Sequence, residues 1–335
     1  MSVKVGINGF GRIGRNALRI SLQRENQEVV AINDITDAGT LAHLFKHDSV
    51  LGTYPGEVAI RNGHISIDGR PIRVFGERDP ARIPWEEVGA QVVVESTGLF
   101  RARDKAAAHL GETVKKVIIS APGKDKVDFM TVLGVNESLY DPSSHDVLSM
   151  ASCTTNCFAM LVKVLHEEFA IKRGQMTTVH SFTSDQRILD APHKDFRRAR
   201  AASLSIIPTS TGAAKAIEII FPELEGKLSA VAMRVPTPDV SIVDFTCEIE
   251  APSSRELVND AFKRASEGEL KGYLRYVEEE LVSSDFLGDP SSAALDSSLT
   301  SVVGGTMVKV LAWYDNEYGY SSRIVDLIQF LGDRI

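Results

Sequence analysis

Close to its N-terminus the chain passes from a short apolar stretch, Val3-Lys4-Val5-Gly6-Ile7, directly into Gly9-Phe10-Gly11-Arg12-Ile13-Gly14. A helical pattern with apolar Ile13, Leu18 and Leu22 follows. A bare G-x-G-x-x-G is a weak signal, but a strand before it and a helix after it restrict the fold sharply. The first glycine allows a tight turn, the second lets a pyrophosphate approach the backbone, and the third lets helix and strand pack closely. Phosphates then sit at the helix N-terminus, where unpaired N–H groups and the helix dipole favour negative charge. A second strand-like run, Glu28 to Ile32, ends in Asn33-Asp34 about twenty residues past the glycines, where an acidic side chain accepts hydrogen bonds from an adenosine ribose. A carboxylate there repels a 2′-phosphate and so favours NAD. The competing reading, a surface turn with a coincidental Asp, is disfavoured by that register.

Strand-like runs recur at Gln91 to Glu95 and Lys116 to Ser120, with a helical segment around Asp104 to Leu110 between them. Alternating strand and helix is the doubly wound α/β pattern. The turns Ser96-Thr97-Gly98 and Ser120-Ala121-Pro122-Gly123 fall at strand C-terminal ends, where such sheets bind ligands. Ile65 to Arg70 reads as an inserted hairpin. Later, the alternating runs Leu228 to Val235, Val240 to Ile249 and Val308 to Trp313 read as strands of a mostly antiparallel sheet, before a final amphipathic helix through Val325, Leu327, Ile328 and Leu331. At 335 residues the chain is long enough for two domains.

Between those halves lies Ser152-Cys153-Thr154-Thr155-Asn156, just before an apolar helical run. A cysteine at a helix N-terminus meets unpaired N–H groups and the positive end of the dipole, which favour thiolate. Without such help a thiol, titrating near about 8.5, is a poor nucleophile at neutral pH. A lone cysteine is more often an inert core residue, so the reading depends on partners. His180, at the end of the strand Met176 to His180, is a candidate general base, although sequence alone does not bring it to Cys153. Thr183, Asp185, Arg198, Thr209-Ser210-Thr211-Gly212 opening a helix, and Arg234 are types suited to phosphate. Taken singly, each could equally be a cap or a surface charge.

Three cysteines argue against a disulfide framework and fit a reducing compartment. The start of the chain carries no secretory pattern, and no apolar run is long enough to span a bilayer, so a cytoplasmic protein is expected. A net charge of −8 disfavours a primary nucleic-acid partner despite the basic run Arg197-Arg198-Ala199-Arg200. Nothing suggests a metal site.

These motifs together resemble the phosphorylating glyceraldehyde-3-phosphate dehydrogenases, particularly the bacterial type. Besides the glycine motif and Ala151 to Cys157, the carrying residues are Thr178-Val179-His180, Pro192-His193-Lys194-Asp195, Ser210 to Ala216 and Trp313-Tyr314-Asp315-Asn316-Glu317. The resemblance runs nearly end to end. It implies a Rossmann-type NAD-binding domain over 1–152, with the C-terminal helix, 316–335, packing back on it. It also implies an α+β catalytic domain over 153–315 and a homotetramer.

By matching motif, Cys153 is implied as nucleophile and His180 as its base. Thr183 and Arg234 are implied at the substrate's C3 phosphate with Asp185 nearby, and Ser152, Thr154, Thr211, Gly212 and Arg198 at the inorganic phosphate. Around the cofactor the resemblance places Gly9, Gly11, Arg12, Ile13, Asp34, Arg78, Ser96 and Ser120, with Asn316 on the nicotinamide carboxamide and Tyr320 near the ring. The implied reaction oxidises glyceraldehyde 3-phosphate with NAD and inorganic phosphate, in glycolysis or gluconeogenesis. It runs through a thiohemiacetal and a thioester on Cys153.

Some residues depart from the family pattern: Met150 where Asn is usual, Ala191 before Pro192 where Leu is usual, Ser291-Ser292 without a nearby His, and Asp239 where Asn is frequent. The loss of bulk at Ala191 could open the way to NADP, while Asp34 and Pro192 favour NAD. Cys157, one helical turn past Cys153, reads as a packed helix residue. The nearest rival is erythrose-4-phosphate dehydrogenase, disfavoured by Thr183 and Ser210 to Lys215. A catalytically silent NAD-binding protein is disfavoured because both Cys153 and His180 are present. A papain-like thiol hydrolase would leave the nucleotide site without a use.

Overall fold

The computed structural model describes residues 2–335. The chain divides into two compact units. The first comprises residues up to Thr131, Ser138–Ala151 and Ser321–Ile335; the second comprises Val132–Glu137 and Ser152–Tyr320.

In the first unit, β1 (Val3–Asn8) leads through the glycines into α1 (Arg12–Ser21), followed by β2 (Gln27–Asn33) and α2 (Ala38–Lys46). A three-stranded meander follows: β3 (Val58–Arg61), β4 (His64–Ile67) and β5 (Arg70–Phe75). Its second turn, Asp68-Gly69, has both residues at positive φ, +50° and +79°, as a two-residue hairpin turn requires. Then come β6 (Val92–Glu95), β7 (Lys116–Ile119), β8 (Phe129–Met130) and β9 (Val147–Ser149). The sheet order is β8-β9-β7-β6-β1-β2-β5-β4-β3, parallel except for the β5-β4-β3 meander. Val92, Val93 and Val94 are fully buried, as continuous apolar runs in a two-sided parallel sheet should be. Each contributes roughly 2 kcal/mol by burial.

The helix expected around Asp104 to Leu110 is shorter than its pattern suggested. It forms one α-turn, Arg103–Ala106, and then a 3-10 turn, Ala107–His109. His109 is drawn inward by a buried hydrogen-bond network, and this tertiary demand overrides helix propensity.

The second unit opens with α3 (Cys153–Phe169), β10 (Ile171–Ser181), β11 (Ile207–Ser210) and α4 (Ala213–Ile220). It continues with β12 (Leu228–Val235), β13 (Ser241–Ile249), α5 (Arg255–Glu267), β14 (Leu274–Val277), β15 (Ala293–Asp296) and β16 (Met307–Tyr314). The order β11-β12-β10-β13-β16-β15-β14 is mostly antiparallel; only β10 with β12 and β14 with β15 run parallel. Helix α3 is apolar almost all round and is buried from Thr154 to Val162, so it forms the centre of the core. Phe158 on α3 meets Phe245 on β13 edge to face, with centroids 4.8 Å apart.

The last helix, α6 (Tyr318–Gly332), starts in the second unit and contributes its residues from Ser321 onward to the first. There Asp326 pairs with Arg24 at 3.0 Å, and Phe330 packs against Tyr140. Among the described residues no helix is long and apolar enough to cross a membrane.

Candidate active site

In the first unit a cleft of about 330 Å³ opens at the C-terminal ends of β1, β2 and β6, lined by Gly9, Gly11, Asp34, Arg78, Ser96 and their neighbours. The three glycines do separate jobs. Gly9 sits at φ +89°, and a Cβ there would lie 2.7 Å from the backbone N of Thr97. A Cβ on Gly14 would lie 2.3 Å from the Gly9 carbonyl. Beside Gly11 there is open space, the room a pyrophosphate needs.

The Ser96 hydroxyl donates to the Gly9 carbonyl at 2.6 Å and so fixes the turn. Asp34 is held by backbone donors, Phe10 N–H at 2.8 Å and Thr36 N–H at 2.9 Å, which aim its carboxylate into the cleft rim. Arg12 forms an ion pair with Asp48, Arg78 is exposed, and Ser120 and Ile13 are half-buried.

Beneath the cleft runs a network that motif reading missed. Glu95 accepts from Asn8 (2.5 Å), the Thr97 N–H (2.9 Å) and the Thr97 hydroxyl, and His109 Nε2 lies 3.0 Å away. Because Trp85 Nε1–H donates to His109 Nδ1, the proton of that ring belongs on Nε2, facing Glu95. Asn33 donates to Asn8 Oδ1 and accepts from the N–H of Glu77, which ties the second loop of the cleft to the first.

In the second unit Cys153 is the first residue of α3. Ser152 is its N-cap, its Oγ accepting the Thr155 N–H at 3.0 Å. Ala151, just before, takes φ +54°, and its N–H is held by Ser149 Oγ. Asn156 donates to the Ser152 carbonyl at 2.9 Å. These bonds hold the cysteine turn in a chain where Met150, fully buried, offers no side-chain amide.

Cys153 Sγ lies 3.5 Å from His180 Nε2. Alternation along β10 turns Met176, Thr178 and His180 to the same buried face. His180 is the register partner of Arg234 on β12. Its Nδ1 lies 2.7 Å from the Ser181 carbonyl, an acceptor, and 2.8 Å from Arg234 Nη1, a donor, while Nε2 faces the thiol. Arg234 Nη1 donates to the same carbonyl at 2.9 Å.

The expectation that helix position would favour thiolate is overturned for the resting pair. Burial pushes the Cys153 thiol up to about 11, against Arg234 and the Thr154 N–H and hydroxyl, which pull it down. Burial, and then Arg234, push His180 down to about 3. Desolvation outweighs the dipole, because one turn of oriented N–H groups does not replace a lost hydration shell. Burial thus disfavours the charged form of each group, and charge appears when the proton moves between them.

Residues 3–103 match the NAD binding domain of glyceraldehyde 3-phosphate dehydrogenase, and residues 152–316 match the C-terminal domain of the same enzyme. A protein named glyceraldehyde-3-phosphate dehydrogenase from Geobacillus stearothermophilus is 58% identical over 334 residues, covering 100% of this chain and 99% of that protein. A protein of that name from Priestia megaterium (99% of this chain, 98% of that protein) and glyceraldehyde-3-phosphate dehydrogenase 1 from Bacillus subtilis (100% and 99%) are each 56% identical. The chain belongs to the glyceraldehyde-3-phosphate dehydrogenase family.

The remaining residues that the family resemblance singles out fall into two groups. Asn316, 5% exposed, has its Oδ1 fixed by the hydroxyls of Ser181 (2.9 Å) and Ser241 (2.6 Å), so its amide N–H groups are left to donate elsewhere. Tyr320 is buried, with its phenol pushed well up by burial and by Cys153. Arg198 forms an ion pair with Asp185 and donates to Thr209 Oγ1 at 3.0 Å, so Asp185 orients the guanidinium. Gly212 caps α4, and Thr211 Oγ1 accepts the Ala213 N–H at 3.3 Å.

Thr183 N–H donates to Gln186. The Ser152 and Thr154 hydroxyls are committed to Thr155 and Tyr314, which leaves backbone groups of that turn for an anion. Cys157 is a packed helix residue, fully buried with its Sγ 3.8 Å from the Ala312 carbonyl.

Three residues here went unassigned in the sequence: Ser181, Ser241 and Tyr314. Only Tyr314 carried a signal, its place in the Trp313 to Glu317 motif. Its Oη bonds Thr154 and Thr178, both at 2.8 Å.

Proposed function

We propose that the chain is an NAD-dependent phosphorylating glyceraldehyde-3-phosphate dehydrogenase, which converts D-glyceraldehyde 3-phosphate and inorganic phosphate to 1,3-bisphosphoglycerate. The observation that carries the reading is Cys153 Sγ at the start of α3, 3.5 Å from His180 Nε2 and within electrostatic reach of Arg234. Cys153 adds through sulfur to the aldehyde carbon, and its proton passes by way of His180 to the carbonyl oxygen, giving a thiohemiacetal. His180 then accepts the hydroxyl proton as the carbon is oxidised to a thioester. NAD, when bound, supplies the hydride acceptor. A phosphate oxygen attacks the thioester carbon, the C–S bond breaks, and Cys153 leaves to be reprotonated from His180. The Ser181 carbonyl and Arg234 Nη1, both at Nδ1, keep the imidazole ring oriented toward Cys153.

Two anions need two cationic binders, and Arg234 and Arg198 are suited to the task. The resemblance assigns Arg234 and Thr183 to the C3 phosphate, and Arg198, the Gly212 end of α4 and the turn Ser152 to Thr154 to the attacking phosphate. Asp185 serves the second pocket through Arg198. The glycine turn and Asp34 cleft fit a dinucleotide, and Asp34 supports NAD over NADP. Asn316, with its oxygen held by two serines, is suited to donate to a carboxamide.

The same reading gives a cytoplasmic homotetramer. Five exposed apolar side chains between residues 188 and 206, Ile188, Leu189, Phe196, Leu204 and Ile206, fit coverage by another copy. Light scattering would test the assembly.

The function is tested by following NADH formation with glyceraldehyde 3-phosphate, with and without phosphate, and with NAD and NADP in parallel. Phosphate-dependent turnover with NAD is expected. A folded, reduced protein that binds NAD without turnover would overturn the reading.

A further inference from the structure

Asp239 lies between β12 and β13 and is 2% exposed. Its Oδ1 accepts the N–H of Val240 at 2.8 Å, while its Oδ2 is buried without a donor. The carboxyl of Asp315, itself 1% exposed, is the neighbouring group that acts on Asp239 most strongly after burial. Glu317 stands on the same loop as Asp315, and Cys153 on α3 lies within electrostatic reach. Arg275, on β14 whose Val277 packs with Val240, is paired with Asp289 at 2.7 Å.

Two buried carboxylates cannot both be charged, so one of them keeps a proton. Asp315 is the better anion. Its Oδ1 accepts the N–H groups of Glu317 (2.9 Å) and Tyr318 (2.7 Å), and its Oδ2 accepts that of Gly288 (2.8 Å). The proton therefore sits on Asp239, and donation from Oδ2–H to Asp315 is the arrangement that satisfies the orphaned oxygen.

The next two residues give this acid its consequence. Val240 takes φ +65°, a left-handed conformation that strains a β-branched residue. It is held there by its bond to Asp239 and by burial against Val277, Phe286 and Ala294. Ser241 follows and donates to Asn316 Oδ1 at 2.6 Å. Asp239 thus reaches Asn316 twice, through Asp315 just before it and through Val240-Ser241.

We propose that Asp239, as a neutral acid, is a positioning residue for Asn316: its proton bridges to Asp315 and holds the loop that presents the Asn316 amide to the nicotinamide end of NAD. This rests on the NAD-dependent reading given above. Burial, with Asp315 and Glu317 adding to it, pushes Asp239 up to about 9. Above that pH two carboxylates repel each other beneath the loop, and affinity for the nicotinamide end falls.

The test is calorimetric titration of the full chain with NAD and with ADP-ribose, which lacks nicotinamide, from about pH 7 to about pH 10. NAD affinity should fall about tenfold one unit above the Asp239 pKa, where about a tenth of the sites keep the proton. ADP-ribose affinity should change less than about twofold, and D239N, neutral at every pH, should lose the alkaline fall for NAD. A wild-type NAD affinity that is flat to about pH 10 overturns the proposal whether or not D239N folds. So does an equal fall for ADP-ribose, or an unchanged fall in D239N. Absence of NAD binding even near pH 7 would instead overturn the functional reading on which the proposal rests.

Discussion

Replacing Tyr314 by Phe removes one oxygen atom that joins the two elements carrying the proposed catalytic pair. Tyr314 Oη bonds Thr154, next to Cys153 on α3, and Thr178, two residues before His180 on β10, each at 2.8 Å. Thr154 and Thr178 are 4% and 1% exposed, so neither hydroxyl regains water when the phenol goes. A buried hydrogen bond contributes about 1 kcal/mol net, and orphaned partners raise the loss. Two such bonds put Tyr314→Phe at about 2 kcal/mol of destabilisation.

The ring remains and keeps its edge-to-face contact with His180, centroids 5.9 Å apart, so the change should be local. A loosened Cys153–His180 spacing should lower kcat by roughly tenfold, within the range a displaced catalytic group produces, while NAD affinity is kept. Urea unfolding and steady-state kinetics measure both effects. The double variant with Thr178→Val should show a coupling of about 1 kcal/mol to Tyr314→Phe. Stability within about 0.5 kcal/mol of wild type, together with kcat within about twofold, would refute the view that the phenol ties helix to strand.

Three further outcomes are expected. Cys153→Ser should abolish phosphate-dependent NADH formation while NAD binding persists, and retained turnover would remove Cys153 from its role. Asp34→Ala should erode the kcat/KM preference for NAD over NADP; an unchanged ratio would mean that the ribose contact lies elsewhere. Asp239 keeps its proton to about pH 9 when folded but, with an ordinary value near 3.8, loses it in the unfolded chain. Unfolding between those values releases a proton, so this group lowers stability as pH rises through that window. Asp239→Asn should therefore stabilise the protein at pH 8 relative to wild type, with the gap closing toward pH 4. A pH-independent gap in thermal or urea unfolding would show that Asp239 is not protonated in the folded chain.

What could be read in the sequence was what near neighbours decide. The glycine turn after β1, Asp34 at the end of β2, Ser152 as the cap that places Cys153 at N1 of α3, and the alternation that turns His180 inward all follow from periodicity, sterics and capping within a few residues. Tertiary structure decided whatever depends on register between distant strands or on exclusion of water. Cys153 and His180 are 27 positions apart in the chain, yet their 3.5 Å approach depends on how α3 packs over the sheet. Asn316 is fixed by serines 135 and 75 positions away in the chain, and no local pattern encodes that meeting. The protonation of the site belongs to the same class. Sequence supplies a helix dipole at Cys153 and a carboxylate at Asp239, but burial reverses the first expectation and neutralises the second. The free energy of a charge is set by the surroundings that replace its water, and those surroundings exist only once the chain has folded.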